Sequence, residues 1–129
     1  MTPKILHVDD SEDIRDITML ALETIGGLEI LQCGSGAEAL SKALSFQPDL
    51  FLLDVMMPEM TGPETLRRLR ELPPFVNTPA IFLTAKAQIE DIEYLKGLGA
   101  IEVITKPFDP MTIAAKIVEI WKLARGKTQ

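Results

Sequence analysis

A chain of 129 residues is long enough for one domain with a sizeable core and too short to expect two. With 47% hydrophobic and 25% charged residues it has an ordinary globular composition, which excludes a disordered chain. Thirteen basic against nineteen acidic side chains leave a formal charge of −6, poorly suited to non-specific contact with a phosphate backbone. The candidate basic patches, Arg67, Arg68 and Arg70, and Arg125 with Lys127, suit solvated helix surfaces, so no direct nucleic-acid contact is expected. Cys33 is alone, which rules out an intrachain disulfide and a cysteine-rich metal site and fits a reducing compartment. No apolar run approaches the roughly 18 residues that cross a bilayer, and no charged start leads into an apolar segment. A cytoplasmic protein without membrane insertion is expected.

Residues 4–8, KILHV, form a short β-rich run that ends in the acidic cluster Asp9, Asp10, Ser11, Glu12 and Asp13. Ser11 or Asp10 suits the cap of a following helix, in which Ile14, Ile17, Leu20 and Ala21 recur at helical spacing until Gly26 and Gly27 stop it. A second strand over 28–32 is less apolar and suits an edge. A helix over 36–46 turns Ala39, Leu40, Ala43 and Leu44 inward and closes at Gln47 and Pro48. Residues 49–53, DLFLL, make a compact third strand that delivers Asp54 at its end; Pro58 and Gly62 disfavour a regular element beyond it. Helical character returns over 63–72, where Pro63 is tolerated in the first turn, and Pro73 and Pro74 end it. A fourth strand over 80–83 terminates in Thr84. A fourth helix follows over 87–98, then a fifth strand over 101–104 leading through Thr105 and Lys106 into Pro107. The last helix, over 110–124, starts at Pro110 and has a basic end that suits its dipole.

Five strands alternating with five helices through short connections predict an α/β fold, a parallel sheet covered on both faces and joined by right-handed crossovers. One domain is expected over 1–129, with its core over about 3–125. Parallel strands present their carboxyl ends at one edge, so Asp9, Asp10, Asp54, Thr84 and Lys106 converge there. Three adjacent carboxylates repel one another, and a small hard cation with oxygen ligands compensates them; Mg²⁺ fits. Lys106 adds an ammonium and Thr84 a hydroxyl, which together describe a receptor for a tetrahedral anion on Asp54. A carboxylate attacking phosphorus forms an acyl phosphate. In that chemistry Asp54 is nucleophile and phosphoacceptor, Asp9 and Asp10 hold the metal, and Thr84 and Lys106 bind the phosphoryl group. Taken singly, each residue also fits a plain structural role: helix capping for the acidic cluster, an Asx turn for Asp54, a helix cap for Thr84, a solvated lysine for Lys106. The conjunction at four strand ends favours the site. His7, inside the first strand, reads as a packed or partly exposed histidine without a role.

The segments VDDSEDIR at 8–15, LLDVMMPEMTG at 52–62, FLTA at 82–85 and TKPF at 105–108 resemble, in that order and over nearly the whole chain, the receiver domain of two-component response regulators, especially the stand-alone chemotaxis-type members. The resemblance implies a doubly wound, flavodoxin-like five-stranded sheet in order 2-1-3-4-5 with the site at its topological switch point. It implies phosphorylation of Asp54 by a histidine kinase or a histidine phosphotransfer protein, loss of phosphate by hydrolysis, and Mg²⁺ contacted by Asp10, Asp54, Asp9 chiefly through water, and the backbone carbonyl of Met56. It further implies a cis peptide between Lys106 and Pro107 that re-aims Lys106 toward Asp54. Met56 and Lys86 fall at the two positions that tune hydrolysis in the family; Met56 cannot orient a water by hydrogen bonding, so slow dephosphorylation is expected. Val103 stands where the family usually carries an aromatic switch residue, so output cannot depend on a swinging ring, while repositioning of Thr84 and displacement of helix four remain available.

Helix four and the last helix carry more apolar side chains than one buried stripe requires. Ile92, Tyr94, Val103 and Trp121 are therefore candidates for a switch and partner surface on the face of helix four, strand five and helix five, where a downstream target protein or a second copy of the chain is expected to bind. Core filling is the competing role for Ile92 and Trp121. The chemistry is self-directed rather than that of a classical turnover enzyme. Two alternatives stay open: a Mg²⁺-dependent phosphohydrolase with an aspartyl-phosphate intermediate, disfavoured by the lack of a cap domain or long loop, and the receiver fragment of a longer regulator.

Overall fold

The computed structural model describes residues 1–85 and 88–127. Strands β1 (Ile5–Val8), β2 (Ile30–Cys33), β3 (Leu50–Asp54), β4 (Ala80–Thr84) and β5 (Glu102–Thr105) form one parallel sheet in the order β2-β1-β3-β4-β5, as the alternation and the resemblance anticipate. Helices α1 (Glu12–Met19), α2 (Gly36–Phe46), α3 (Gly62–Leu69), α4 (Ile89–Gly97) and α5 (Ile113–Lys127) cover it.

The period of two along each strand divides the core. Leu6, Val8, Phe51, Leu53 and Phe82 face α2, α3 and α4, packing on Ala39, Ala43, Leu66, Leu69 and Leu95. Ile5, Leu50, Leu52, Ile81, Leu83 and Ile104 face the other way, onto Ala21, Leu22, Ile113, Ala114 and Ile117. Burial on both faces is why β1, β3 and β4 read as unbroken apolar runs, and why β2, with half-buried Leu31 and Gln32 at the edge, reads as weaker. Helix starts are fixed locally: Ser11, Ser35 and Thr61 side chains accept from the amides of Ile14, Glu38 and Thr61's third neighbour Glu64 at 3.3, 3.1 and 3.3 Å.

Several boundaries differ from the sequence expectation. α1 gives way to a π-helical stretch, Leu20–Ile25, before Gly26. Gly27 then adopts φ 70° and the Leu28 amide bonds back to the Leu22 carbonyl at 2.9 Å, so the turn absorbs Leu28 and Glu29 and β2 begins at Ile30. α3 stops at Leu69, and Pro73–Phe75 form a separate 3-10 turn. α5 starts at Ile113, not Pro110, because Asp109 holds a preceding turn through the amides of Met111 at its side chain and Thr112 and Ile113 at its carbonyl. The expected start of α4 at Ala87 lies outside the described residues. Among the described residues no helix is long and apolar enough to cross a membrane.

Trp121 requires a correction. It is only 3% exposed, in one core layer with Ile113, Ala114 and Ile117, so it is no part of a partner surface. The four-residue spacing of Ile113, Ile117 and Trp121 turns all three toward the sheet, and the Arg125 guanidinium caps the indole at 4.7 Å.

Candidate functional site

The acidic site sits where β1, β3 and β5 end. β1 runs into Asp9, fully buried, and Asp10, exposed; β3 ends on Asp54, 7% exposed. One carboxylate oxygen from each of Asp9, Asp10 and Asp54 lies within 4.8 Å of the others. Lys106, one residue past β5, places its Nζ 3.0 Å from Asp9 Oδ2 and 3.0 Å from Asp54 Oδ1. Its backbone amide donates to the Thr84 carbonyl at 2.8 Å, and the Lys106–Pro107 bond is cis. Thr84 is buried at the end of β4, one residue beyond Leu83, the register partner of Asp54. Met56, two residues past Asp54, leaves its side chain 67% exposed. Lys86 lies outside the described residues.

Supporting groups carry no periodic signal in the sequence and escaped it. The Asp9 Oδ1 atom accepts from the Ser11 amide at 2.9 Å, and the Arg15 guanidinium donates to the Asp9 carbonyl at 2.7 Å. These bonds fix the exit of β1. Gln32 Nε2 donates to the Arg15 carbonyl at 2.7 Å and lies 3.1 Å from His7 Nδ1, tying β2, α1 and β1 together beneath the acidic edge. Gly62 is required by close approach: its amide donates to the Val55 carbonyl at 2.9 Å, and a Cβ at this position would collide with the carbonyl oxygen of Asp54.

Burial pushes the Asp54 carboxyl above its ordinary value; the Lys106 hydrogen bond opposes this, and the Asp9 and Asp10 charges add to it. For Lys106, burial alone disfavours the ammonium, but the bonds to Asp9 and Asp54 outweigh it and raise its pKa. His7 is buried and pushed down to about 3 by desolvation, with Lys106 and Arg15 adding to the shift, so its imidazole is neutral. Among the described residues its Nε2 has no hydrogen-bond partner.

The donor set fits magnesium. It is all oxygen, it concentrates negative charge that one ammonium offsets only in part, and Asp10 opens to solvent where a hydrated ion keeps its waters. Asp9, Asp10 and Asp54 match the magnesium-binding acidic cluster of receiver domains.

On α4, Ile89 and Tyr94 are 71% and 65% exposed, and Leu98 at its end is exposed too. Ile92 is half-buried against the core layer that contains Val103, and Val103 itself is buried under α4.

The sequence profile of the response regulator receiver domain matches residues 5–118. The alkaline phosphatase synthesis transcriptional regulatory protein of Bacillus subtilis is 38% identical over 120 residues, 93% of this chain and 49% of that protein. A 14.6 kDa protein of Leptolyngbya boryana is 40% identical over 93% of this chain and 90% of its own length. Among solved structures, the chemotaxis response regulator CheY4 of Vibrio cholerae superposes with a TM-score of 0.84 at 33% identity, covering 93% of this chain and 99% of the other. The chain spans about half the length of several curated relatives that it matches, transcriptional regulators among them. It belongs to the response regulator receiver domain family, phosphoacceptor switches of two-component systems that take phosphate from a phosphohistidine-bearing partner and signal onward to another protein.

Proposed function

We propose that Asp54 is the phosphoacceptor and that Lys106 and Thr84 hold the transferred group. The observation that carries the assignment is the position of Asp54: the last residue of a buried strand, with one oxygen on the Lys106 ammonium and the other unbonded to it. That second oxygen attacks phosphorus of a phosphohistidine on a kinase or phosphotransfer protein. The new P–O bond forms as the P–N bond breaks, the electron pair stays on the imidazole nitrogen, and that nitrogen takes up a proton. Asp9, Asp10, Asp54 and the Met56 backbone carbonyl would hold Mg²⁺, which supplies charge neutralisation at the phosphoryl oxygens.

Lys106 moves its ammonium from the two carboxylates to a phosphoryl oxygen, and the Thr84 hydroxyl donates to another. Asp9, anchored by Ser11 and Arg15, keeps its place while Lys106 shifts. Movement of Thr84 toward the phosphoryl group draws on the end of β4, the element that precedes α4 in the chain, so the exposed Ile89 and Tyr94, with Ile92 and Val103 beneath, form the surface a downstream target reads. Because Val103 has no ring, the displacement passes through backbone and helix packing. The lone buried Cys33 fits a cytoplasmic setting.

Incubation with acetyl phosphate and Mg²⁺ tests the assignment by intact-protein mass. One phosphoryl group is expected on the native chain and none on Asp54→Asn; labelling of that variant, or labelling unaffected by a chelator, defeats the reading.

A further inference from the structure

Asp9 and Asp54 share the Lys106 ammonium, whereas among the described residues no donor holds the exposed Asp10 carboxylate. The aim of Asp10 is therefore set by the peptide that joins it to Asp9, and that peptide is clamped. The fully buried Asp9 donates its amide to the Cys33 carbonyl at 3.1 Å and accepts from the Ser11 amide at Oδ1 at 2.9 Å. Its carbonyl oxygen, which belongs to the Asp9–Asp10 peptide, accepts from the Arg15 guanidinium at 2.7 Å. We propose that Arg15 is a positioning residue for the metal: by fixing the plane of the Asp9–Asp10 peptide it holds Asp10 ready to ligate Mg²⁺, and so sets the affinity of the site. This rests on the assignment of Asp10 as a magnesium ligand.

Arg15 is itself held at both ends. Gln32 Nε2, on the edge strand β2, donates to the Arg15 carbonyl at 2.7 Å and fixes the turn of α1 that carries the guanidinium. The guanidinium lies against Gly34, just after β2, 3.4 Å from the place a Cβ would take there, with the Glu38 carboxylate on the same glycine at 3.8 Å from that place. Its charge interacts with that carboxylate, which keeps the guanidinium in this corner. Charge alone would set Arg15 against the metal, since a cation beside the site repels a dication and its removal would tighten binding. Loss of the clamp acts the other way. The Asp9 carbonyl is left buried without its donor, the peptide turns to find another, and Asp10 loses its aim. Partners that orient metal ligands commonly change affinity by about tenfold or more, which outweighs the repulsion of one half-buried charge that water screens.

Calorimetric titration of the metal-free chain with MgCl₂ is the test, with acetyl phosphate labelling as a second readout. Arg15→Met is expected to bind Mg²⁺ about tenfold more weakly, to need about tenfold more Mg²⁺ for half-maximal labelling, and to label at the native rate once Mg²⁺ is saturating. Arg15→Lys, which keeps a charged donor of nearly the same reach, recovers most of the affinity. Gln32→Met, the milder variant, removes the donor from the Arg15 carbonyl, keeps the guanidinium and weakens binding about threefold. A brace that serves only the fold would lower the unfolding free energy in chelator and leave the Mg²⁺ midpoint where it is. Unchanged or tighter binding in Arg15→Met or Gln32→Met, or no recovery with Arg15→Lys, overturns the proposal and leaves the magnesium site standing. A native chain that takes up no Mg²⁺ overturns both.

Discussion

His7 is the only histidine in the chain, which makes its burial measurable without interference from another imidazole. In the unfolded chain it titrates at the ordinary value of 6.5; in the fold its pKa is about 3. Below pH 6.5 the unfolded state therefore binds a proton that the native state refuses, and stability falls as pH falls. The slope is about 1.4 kcal/mol per pH unit, and integration from pH 7 to pH 5 gives a loss of about 1.9 kcal/mol, nearly the same for any folded pKa below about 4. Asp54 slopes the other way, since its raised pKa makes the native state the better proton acceptor. That contribution is common to the native chain and to His7→Asn, whose side-chain oxygen still accepts from Gln32 Nε2. Urea unfolding in chelator at pH 7 and pH 5 should show the native chain losing about 1.9 kcal/mol more than His7→Asn. Equal losses, or an imidazole NMR titration with its midpoint near 6.5, would refute the reasoning.

Three further changes probe the site. Lys106→Met removes the ammonium from two carboxylates of low exposure, and in chelator it should cost about 3 kcal/mol by urea unfolding, with Mg²⁺ recovering part of the loss. Gly62→Ala should destabilise the fold by about 2 kcal/mol and slow acetyl phosphate labelling together, because the added methyl displaces the Asp54 carbonyl; loss of stability with an unchanged labelling rate would separate Gly62 from the site. Met56→Asn, at an exposed position, should leave the melting temperature unchanged and shorten the phosphate lifetime about tenfold by orienting a water, read as the decay of the phosphorylated mass.

Sequence pattern and structure agree where burial imposes a period. The run ending in Asp54 is legible because β3 is covered on both faces, and Thr84 and Lys106 follow from the same logic at β4 and β5. Ambiguity enters where a turn or a helix buries apolar residues for its own reasons. Leu28 is as buried as a strand residue yet belongs to the turn after Gly27, and the π-helical stretch continues the α1 pattern with a longer repeat that short windows do not resolve. Leu44, expected inside, is exposed on α2, and Trp121, a candidate for the surface, is in the core; either side of a helix accepts an apolar residue, and only packing decides. The polar supports, Arg15 on the Asp9 carbonyl and Gln32 beside His7, join positions 6 and 25 residues apart through polar side chains that follow no apolar period.

The bridge from Lys106 to Asp9 and Asp54 gives the resting pocket an internal counterion. A divalent cation would then load beside an ammonium rather than into a bare acidic hole, which softens the grip on the ion and lets its occupancy follow the free concentration around the protein. The tethered ammonium thus sets a threshold: the pocket takes up the mobile ion only when enough of it is at hand, and returns to the ammonium alone when the ion departs.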